Sequence, residues 1–74
     1  MFWIVRADAF WYRFDSEIKA KKHYQYILDN INGKYKQIEK VYLAQYEQGK
    51  VPKVLEMWKR PQLESEEEQG YEKS

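Results

Sequence analysis

The chain has 74 residues and a net charge of +1; 18% of its residues are aromatic and none is cysteine. At this length it can form one domain at most, and neither a disulfide nor a thiolate-bound metal can stabilise that domain. The opening apolar run is too short for a signal peptide and no stretch is long enough to span a membrane, so we expect a soluble, cytoplasmic protein without membrane contact.

The chain begins with two short apolar runs, Phe2–Val5 and Phe10–Phe14. Residues 6–9 lie between them. Two strand-forming runs separated by a few turn-compatible residues predict a β-hairpin. A single bent strand is the alternative for the same residues.

An amphipathic helix is predicted over about residues 16–31. Five apolar side chains recur at helical spacing and form one stripe: Ala20, Tyr24, Ile27, Leu28 and Ile31. Asp15 or Ser16 can cap the first turn by accepting a hydrogen bond from a free backbone N–H. Asn32-Gly33 predicts the end of the helix, because glycine readily adopts the left-handed conformation found just past many helix ends.

Residues 35–60 allow two interpretations. Val41–Tyr46 and Val54–Trp58 are rich in β-branched and aromatic residues, and Gln48-Gly49 between them resembles a turn, which together predict a second hairpin. The segment also carries four apolar residues near helical spacing, Tyr35, Ile38, Tyr42 and Tyr46. Because Pro52 can begin a helix, an all-helical second half is the alternative.

The C-terminal segment differs in charge from the rest of the chain. Residues 62–74 contain five Glu and one Lys, whereas residues 1–60 contain twelve Lys and Arg and seven Asp and Glu. The segment is almost without apolar side chains, so we expect a flexible, disordered acidic tail. The predicted architecture is a compact α+β domain over residues 1–61, with a small antiparallel sheet in ββαββ or βαββ order packed on one helix, followed by the acidic tail 62–74.

Few residues are suited to catalysis. His23 is the only histidine and lies among lysines on the predicted helix, where we expect a surface residue without a catalytic role. Ser16 is better explained as the helix cap, and the glutamates of the tail lack the fixed loop geometry that gives affinity for a divalent cation. The sequence therefore predicts a non-catalytic protein with no metal and no cofactor.

Basic residues on the predicted helix indicate nucleic-acid binding as an alternative function. The candidates lie on the outward side of the helix and just after it: Lys19, Lys22, Tyr26, Lys34 and Lys36. Lysines neutralise phosphates, and aromatic side chains on an open sheet can stack on bases. The acidic tail opposes this interpretation, because it carries nearly equal charge of the opposite sign.

Apolar side chains on both sides of the predicted strands favour a protein-binding function. Successive strand residues point to opposite faces, yet one helix covers only one face of a small sheet. An uncovered aromatic face predicts a protein partner or a homodimer, since a large side chain contributes roughly 1.5–3 kcal/mol when it is fully buried. The candidate contact residues are Trp3, Val5, Trp11, Tyr42, Tyr46 and Trp58.

The N-terminal half resembles short proteins encoded by bacteriophages and prophages. The resemblance covers residues 2–33 and is carried by Ile4-Val5-Arg6-Ala7-Asp8, Trp11-Tyr12 and Phe14-Asp15-Ser16-Glu17 before the lysine-rich helix. It implies the order strand, short strand, helix and hairpin, and a protein that binds and blocks a host or defence protein, as anti-CRISPR proteins do. It assigns no functional residue. The leading hypothesis is a non-catalytic inhibitor or adaptor that self-associates, with nucleic-acid binding as the alternative.

Overall fold

Four strands and one helix make up the part of the chain that the computed structural model describes, residues 1–61. In chain order these elements are β1 (Phe2–Ala7), β2 (Phe10–Phe14), α1 (Glu17–Asp29), β3 (Lys40–Tyr46) and β4 (Lys53–Lys59). The strands form one antiparallel sheet in the order β2-β1-β3-β4. The predicted α+β class and ββαββ order are confirmed, and the helical alternative for residues 35–60 is wrong. The predicted acidic tail lies outside the described residues.

The first hairpin turns at Asp8 and Ala9 and joins β1 to β2 as antiparallel neighbours. Asp8 has φ 52°, a left-handed conformation that Asp tolerates better than most residues. Its carboxylate accepts hydrogen bonds from the backbone N–H groups of Glu39 and Lys40, both at 3.0 Å. The turn is therefore tied to the start of β3, and the single bent strand considered for residues 2–14 is wrong.

The start of α1 agrees with its predicted cap. Ser16 has an extended backbone, and its hydroxyl accepts a hydrogen bond from the backbone N–H of Lys19 at 3.4 Å. Glu17 follows at the positive end of the helix dipole, and its carboxylate lies 2.9 Å from the Lys21 ammonium. These contacts stabilise the first turn without any tertiary partner.

The end of α1 differs from the prediction. Its last residue is Asp29, and Asn30 closes the helix by donating from its side-chain amide to the Tyr26 carbonyl at 2.8 Å. Gly33 does not adopt a left-handed conformation, so the predicted glycine stop is wrong. The chain instead leaves through successive turns, the first of which brings Ile31 into the core. With thirteen residues, α1 is too short and too polar to cross a bilayer, and residues 1–61 contain no other helix.

The hydrophobic core lies between α1 and one face of the sheet. Its buried residues come from both layers and from the turns after the helix: Val5, Ala7, Ala20, Tyr24, Ile27, Ile31, Ile38, Val41 and Leu43. The predicted helical stripe is confirmed, with Leu28 half-buried against the same core. The most deeply buried strand residues come from β1 and β3, because these two strands have a neighbour on each side.

A bulge in β4 determines which of its side chains face the core. The pairing of β3 with β4 shifts between Leu43 and Ala44, which leaves Leu55 without a direct partner. Leu55 and Trp58 therefore both pack against the core although they are three residues apart. Met57 points to the other side of the sheet.

Candidate binding face of the sheet

The face of the sheet opposite α1 is not covered by any other element of residues 1–61. Register and strand alternation assign twelve side chains to this surface, which we call the open face. Its members are Phe2, Ile4, Arg6, Trp11, Arg13, Lys40, Tyr42, Ala44, Tyr46, Val54, Met57 and Lys59. They form rows across the strands, because paired residues lie side by side.

The central row of the open face crosses all four strands. Trp11, Arg6, Tyr42 and Met57 are direct neighbours in that order. The Arg6 guanidinium lies 4.5 Å from the centre of the Trp11 ring, within the range of a cation–π contact. Arg6 also donates from Nε to the Asp8 carbonyl at 2.7 Å, which fixes the guanidinium in this position. The row therefore presents an arginine between two aromatic side chains.

A second aromatic group lies toward the other end of the strands. The rings of Phe2 and Tyr46 are stacked, with centres 5.2 Å apart and planes 5° apart. The Arg13 guanidinium lies 4.2 Å from the centre of the Phe2 ring. Ile4 and Ala44, both buried, separate this group from the central row. An arginine thus contacts an aromatic ring at both ends of the open face.

The charge of the open face has one sign. Its four cations are Arg6, Arg13, Lys40 and Lys59, and none of its twelve side chains is acidic. Two carboxylates lie at its rim. Asp15 is 3.8 Å from the Arg13 guanidinium, while both carboxylate oxygens of Asp8 are occupied by backbone N–H groups. The face is therefore suited to an anionic partner.

Apolar side chains on the open face are also exposed. Trp11, Val54 and Met57 are 56%, 54% and 61% exposed. A depression of about 290 Å³ beside the central row is lined by Arg6, Asp8, Lys40 and Tyr42. Exposed apolar groups beside an excess of cations are the properties of a surface that binds a partner.

The six predicted partner-contact residues do not share one surface. Trp11, Tyr42 and Tyr46 lie on the open face, whereas Trp3, Val5 and Trp58 pack on the side of α1. Val5 is 0% exposed, so its assignment to a partner-binding surface is wrong. Alternation defines two faces of each strand, but it does not state which face the helix covers.

The predicted nucleic-acid-binding residues lie on a different surface from the open face. Lys19, Lys22, Tyr26, Lys34 and Lys36 are all exposed, on α1 and the turns that follow it. Lys34 donates from Nζ to the Tyr26 hydroxyl at 3.4 Å, and this hydrogen bond raises the pKa of Lys34. The arginines of the open face, Arg6 and Arg13, were missed by sequence reasoning. Each arginine alternates with apolar residues along a predicted strand, and this alternation was the pattern that could have placed both arginines on a face of the sheet.

His23 is not the surface residue that its neighbours in the sequence suggest. Its ring packs against Tyr12 at 4.4 Å and Phe14 at 5.3 Å between ring centres. Its Nε2 atom is buried and has no hydrogen-bond partner among residues 1–61. Burial disfavours the charged imidazolium and lowers the pKa of His23 below its usual value near 6.5. His23 therefore helps to hold β2 against α1.

We expect the stability of the protein to fall as the pH drops from 7.5 to 5.5. His23 is neutral in both states well above pH 6.5, and as the pH falls through that value the unfolded chain takes up a proton that the folded protein binds less readily. Unfolding is thus favoured progressively until the pH passes the lowered pKa of the folded state. His23→Gln, which cannot titrate, is expected to show a flatter profile in thermal unfolding followed by circular dichroism. Identical profiles for the two proteins would contradict the burial of His23.

Residues 1–61 contain no group of three His, Cys, Asp or Glu side chains placed to hold a metal ion. The open face is the candidate site, because it combines exposure, positive charge and aromatic rings on one side of the sheet. Among known proteins, no family model, no curated protein and no solved structure matches the chain.

Proposed function

We propose that the protein binds single-stranded nucleic acid through the open face and catalyses no reaction. The proposal is carried by the interleaving of cations and aromatic rings on a sheet face that bears no acidic side chain. Cations neutralise the phosphates of a strand, and exposed rings stack on bases of any sequence. Open sheets with aromatic side chains are a general solution to the recognition of unpaired RNA.

The two aromatic groups are spaced for an extended strand of nucleotides. Tyr42 and Tyr46 are four residues apart on β3 and belong to the two different groups. At about 3.3 Å per residue the groups lie roughly 13 Å apart, a distance that a few extended nucleotides can span. Lys40 lies beyond the central row and Arg13 lies beside Phe2, so each aromatic group has a cation next to it.

The charge of the open face favours a polyanion over a second copy of the chain. A two-fold dimer formed through this face would bring the four cations of each copy toward those of the other, and like charges across an interface are costly. A nucleic acid gains from the same four charges. The homodimer expected from the sequence is therefore disfavoured at this surface and stays a prediction, which light scattering over a range of concentrations checks.

Trp11→Ala is expected to weaken the binding of a fluorescein-labelled, mixed-sequence single-stranded RNA by about tenfold, because stacking of one base contributes roughly 1–3 kcal/mol. Phe10→Ala is the matched control. Phe10 is the adjacent residue of β2 with 59% exposure, but it points away from the open face. Anisotropy titrations of the full chain measure both affinities. Equal losses in the two variants, or no loss in Trp11→Ala, would contradict base stacking on the open face.

The salt dependence of the same titration identifies the surface that holds the phosphates. For single strands, the slope of log K against log salt changes by about 0.7 for each phosphate that the protein no longer neutralises. Replacing Arg13 and Lys59 with Gln should therefore flatten the slope by about 1.4. The control is the double variant Lys19→Gln with Lys22→Gln, which removes the same two positive charges from the exposed side of α1. A flatter slope in this helix pair alone would place the interface on α1 and not on the sheet.

A protein partner is the second candidate, and two exposed aliphatic side chains favour it. Val54 and Met57 are more than half exposed on the open face, and side chains of this kind fill apolar pockets better than they stack on bases. In this case the protein acts as an inhibitor or adaptor, the function that the resemblance to phage proteins implies. Failure of the full chain to bind RNA or single-stranded DNA at low salt would favour this candidate.

A further inference from the structure

We propose that the C-terminal segment, residues 62–74, docks on the open face of its own chain. The segment is acidic and the open face is basic, so the segment is attracted to the same surface that a nucleic acid would use. Docking of this kind would regulate nucleic-acid binding, and that regulatory role rests on the proposed function. The docking itself depends only on the charges and on the place where the segment leaves the fold.

The charges of the segment and of the open face are complementary. Residues 62–74 carry five glutamates and one lysine, and the open face carries four cations and no acidic side chain. The acidic segment is thus able to neutralise the face almost completely. A run of carboxylates resembles a strand of phosphates in charge, so the same four cations can bind either the segment or a nucleic acid.

The described part of the chain ends at Pro61, two residues past β4 and close to the most basic end of the open face. β4 ends at Lys59, which is paired with Lys40, and Arg6 is in the next row. Three of the four cations are therefore grouped near the end of β4, the element that precedes the segment. Thirteen residues can extend to roughly 43 Å, whereas four strands spaced about 4.8 Å apart span only about 14 Å. Every part of the open face is within reach of the segment.

Attachment to the same chain makes weak contacts sufficient. A short connection presents a tethered group at an effective concentration in the millimolar range. The contacts are between exposed charges, so they weaken as the screening length shortens from about 10 Å at 0.1 M salt to about 3 Å at 1 M. Docking is therefore expected at low and physiological salt and is expected to disappear at high salt.

A single spin label tests the docking in the full chain. Gln69→Cys introduces the only cysteine, and a nitroxide attached to it broadens the NMR signals of nearby protons. Trp11 lies on the open face, whereas Trp3 and Trp58 pack on the side of α1, so the three indole N–H signals distinguish the two sides. Docking predicts the strongest broadening at Trp11. Strongest broadening at Trp58, which is nearest to the label along the chain, would overturn the inference.

The control removes the charge and keeps the length. In a labelled full chain, Gln replaces the five glutamates of the segment: Glu64, Glu66, Glu67, Glu68 and Glu72. Preferential broadening of Trp11 should disappear in this variant, as it should in the original labelled chain at 1 M salt. Preferential broadening of Trp11 that persists both in the five-glutamine variant and at 1 M salt would overturn docking by charge complementarity.

An RNA titration separates this inference from the proposed function. If the segment competes for the open face, the five-glutamine variant should bind the labelled RNA about fivefold or more tightly, the lower end of typical coupling between two sites. Broadening at Trp11 without RNA binding by either chain would support the docking and overturn the proposed function. RNA binding without preferential broadening at Trp11 would overturn the docking alone.

Discussion

Arg60→Met is expected to lower the free energy of unfolding by about 2–3 kcal/mol, because a partly buried guanidinium joins the end of β4 to the turns after α1. Arg60 donates from Nε to the Ile38 carbonyl and from Nη2 to the Ile31 carbonyl, both at 3.0 Å. Its backbone N–H also donates to the Glu39 carbonyl at 2.8 Å. Removal of the guanidinium leaves the Ile31, Tyr35 and Ile38 carbonyls without this donor, in the turns between α1 and β3. Urea unfolding followed by circular dichroism gives the difference.

Two further variants test whether the geometry or the charge of the Arg60 guanidinium is responsible for the expected destabilisation. Arg60→Lys keeps the charge, but a single ammonium cannot reproduce the planar fork that bridges two carbonyls, so most of the destabilisation should remain. Arg13→Met removes an arginine whose side chain is largely exposed and forms a surface ion pair, and it should cost less than about 1 kcal/mol. Arg60→Met and Arg13→Met with equal stability would refute the structural role of Arg60.

Asp8→Ala is expected to lower the free energy of unfolding by about 2–4 kcal/mol, for two separable reasons. The substitution removes the acceptors of the Glu39 and Lys40 backbone N–H groups, and hydrogen bonds to a charged group contribute roughly 1.5–3 kcal/mol. It also places an alanine at φ 52°, where a left-handed backbone costs about 1–2 kcal/mol. Thermal and urea unfolding measure the sum of the two effects.

Glycine at the same position separates the two contributions. Asp8→Gly removes the carboxylate but accepts the left-handed conformation without strain, so it should be more stable than Asp8→Ala by about 1 kcal/mol. If the two variants are equally unstable, the left-handed backbone at position 8 does not contribute to the loss of stability in Asp8→Ala. If neither differs from the original protein, the carboxylate does not link the first hairpin to β3.

Asp8 connects stability with the candidate site. Its backbone carbonyl accepts from Arg6 Nε, and Arg6 in turn contacts the Trp11 ring. A change in the turn should therefore disturb the central row of the open face as well as the fold. For this reason Asp8 variants are unsuitable as binding mutants, whereas Trp11→Ala alters the open face without touching the turn contacts.

The local pattern of the sequence predicted one helix, its buried side and two hairpins, while a bent strand over residues 2–14 and helices over residues 35–60 stayed as alternatives. The stripe from Ala20 to Ile31 identified the buried side of α1, and the predicted start at Asp15 or Ser16 was correct to one residue, with Ser16 as the observed cap. Turn residues between apolar runs located both hairpins, and Gly49 in the second turn has φ 78°, a conformation that glycine adopts without strain. These features depend on neighbours within a few residues, so their physical causes are present in the sequence itself.

The composition of the open face depended on contacts between distant residues. Arg6 lies beside Trp11 and Tyr42 only because of the register in which β1 pairs with β2 and β3. The same register turned Trp3 and Val5 toward the helix, and the pairing of β4 with β3 placed Trp58 beside the buried Val41 on that side.

The sequence is enough to predict which side chains alternate along each strand and where the excess of basic residues lies, but it leaves open whether residues 35–60 form strands or helices. Only the tertiary structure decided which of the two faces α1 covers, and therefore that Arg6, Arg13 and Trp11 share the face that stays open. The physical reason is the two-residue period of a strand: a shift of one residue in the pairing exchanges the faces completely, and long-range packing alone selects between the two.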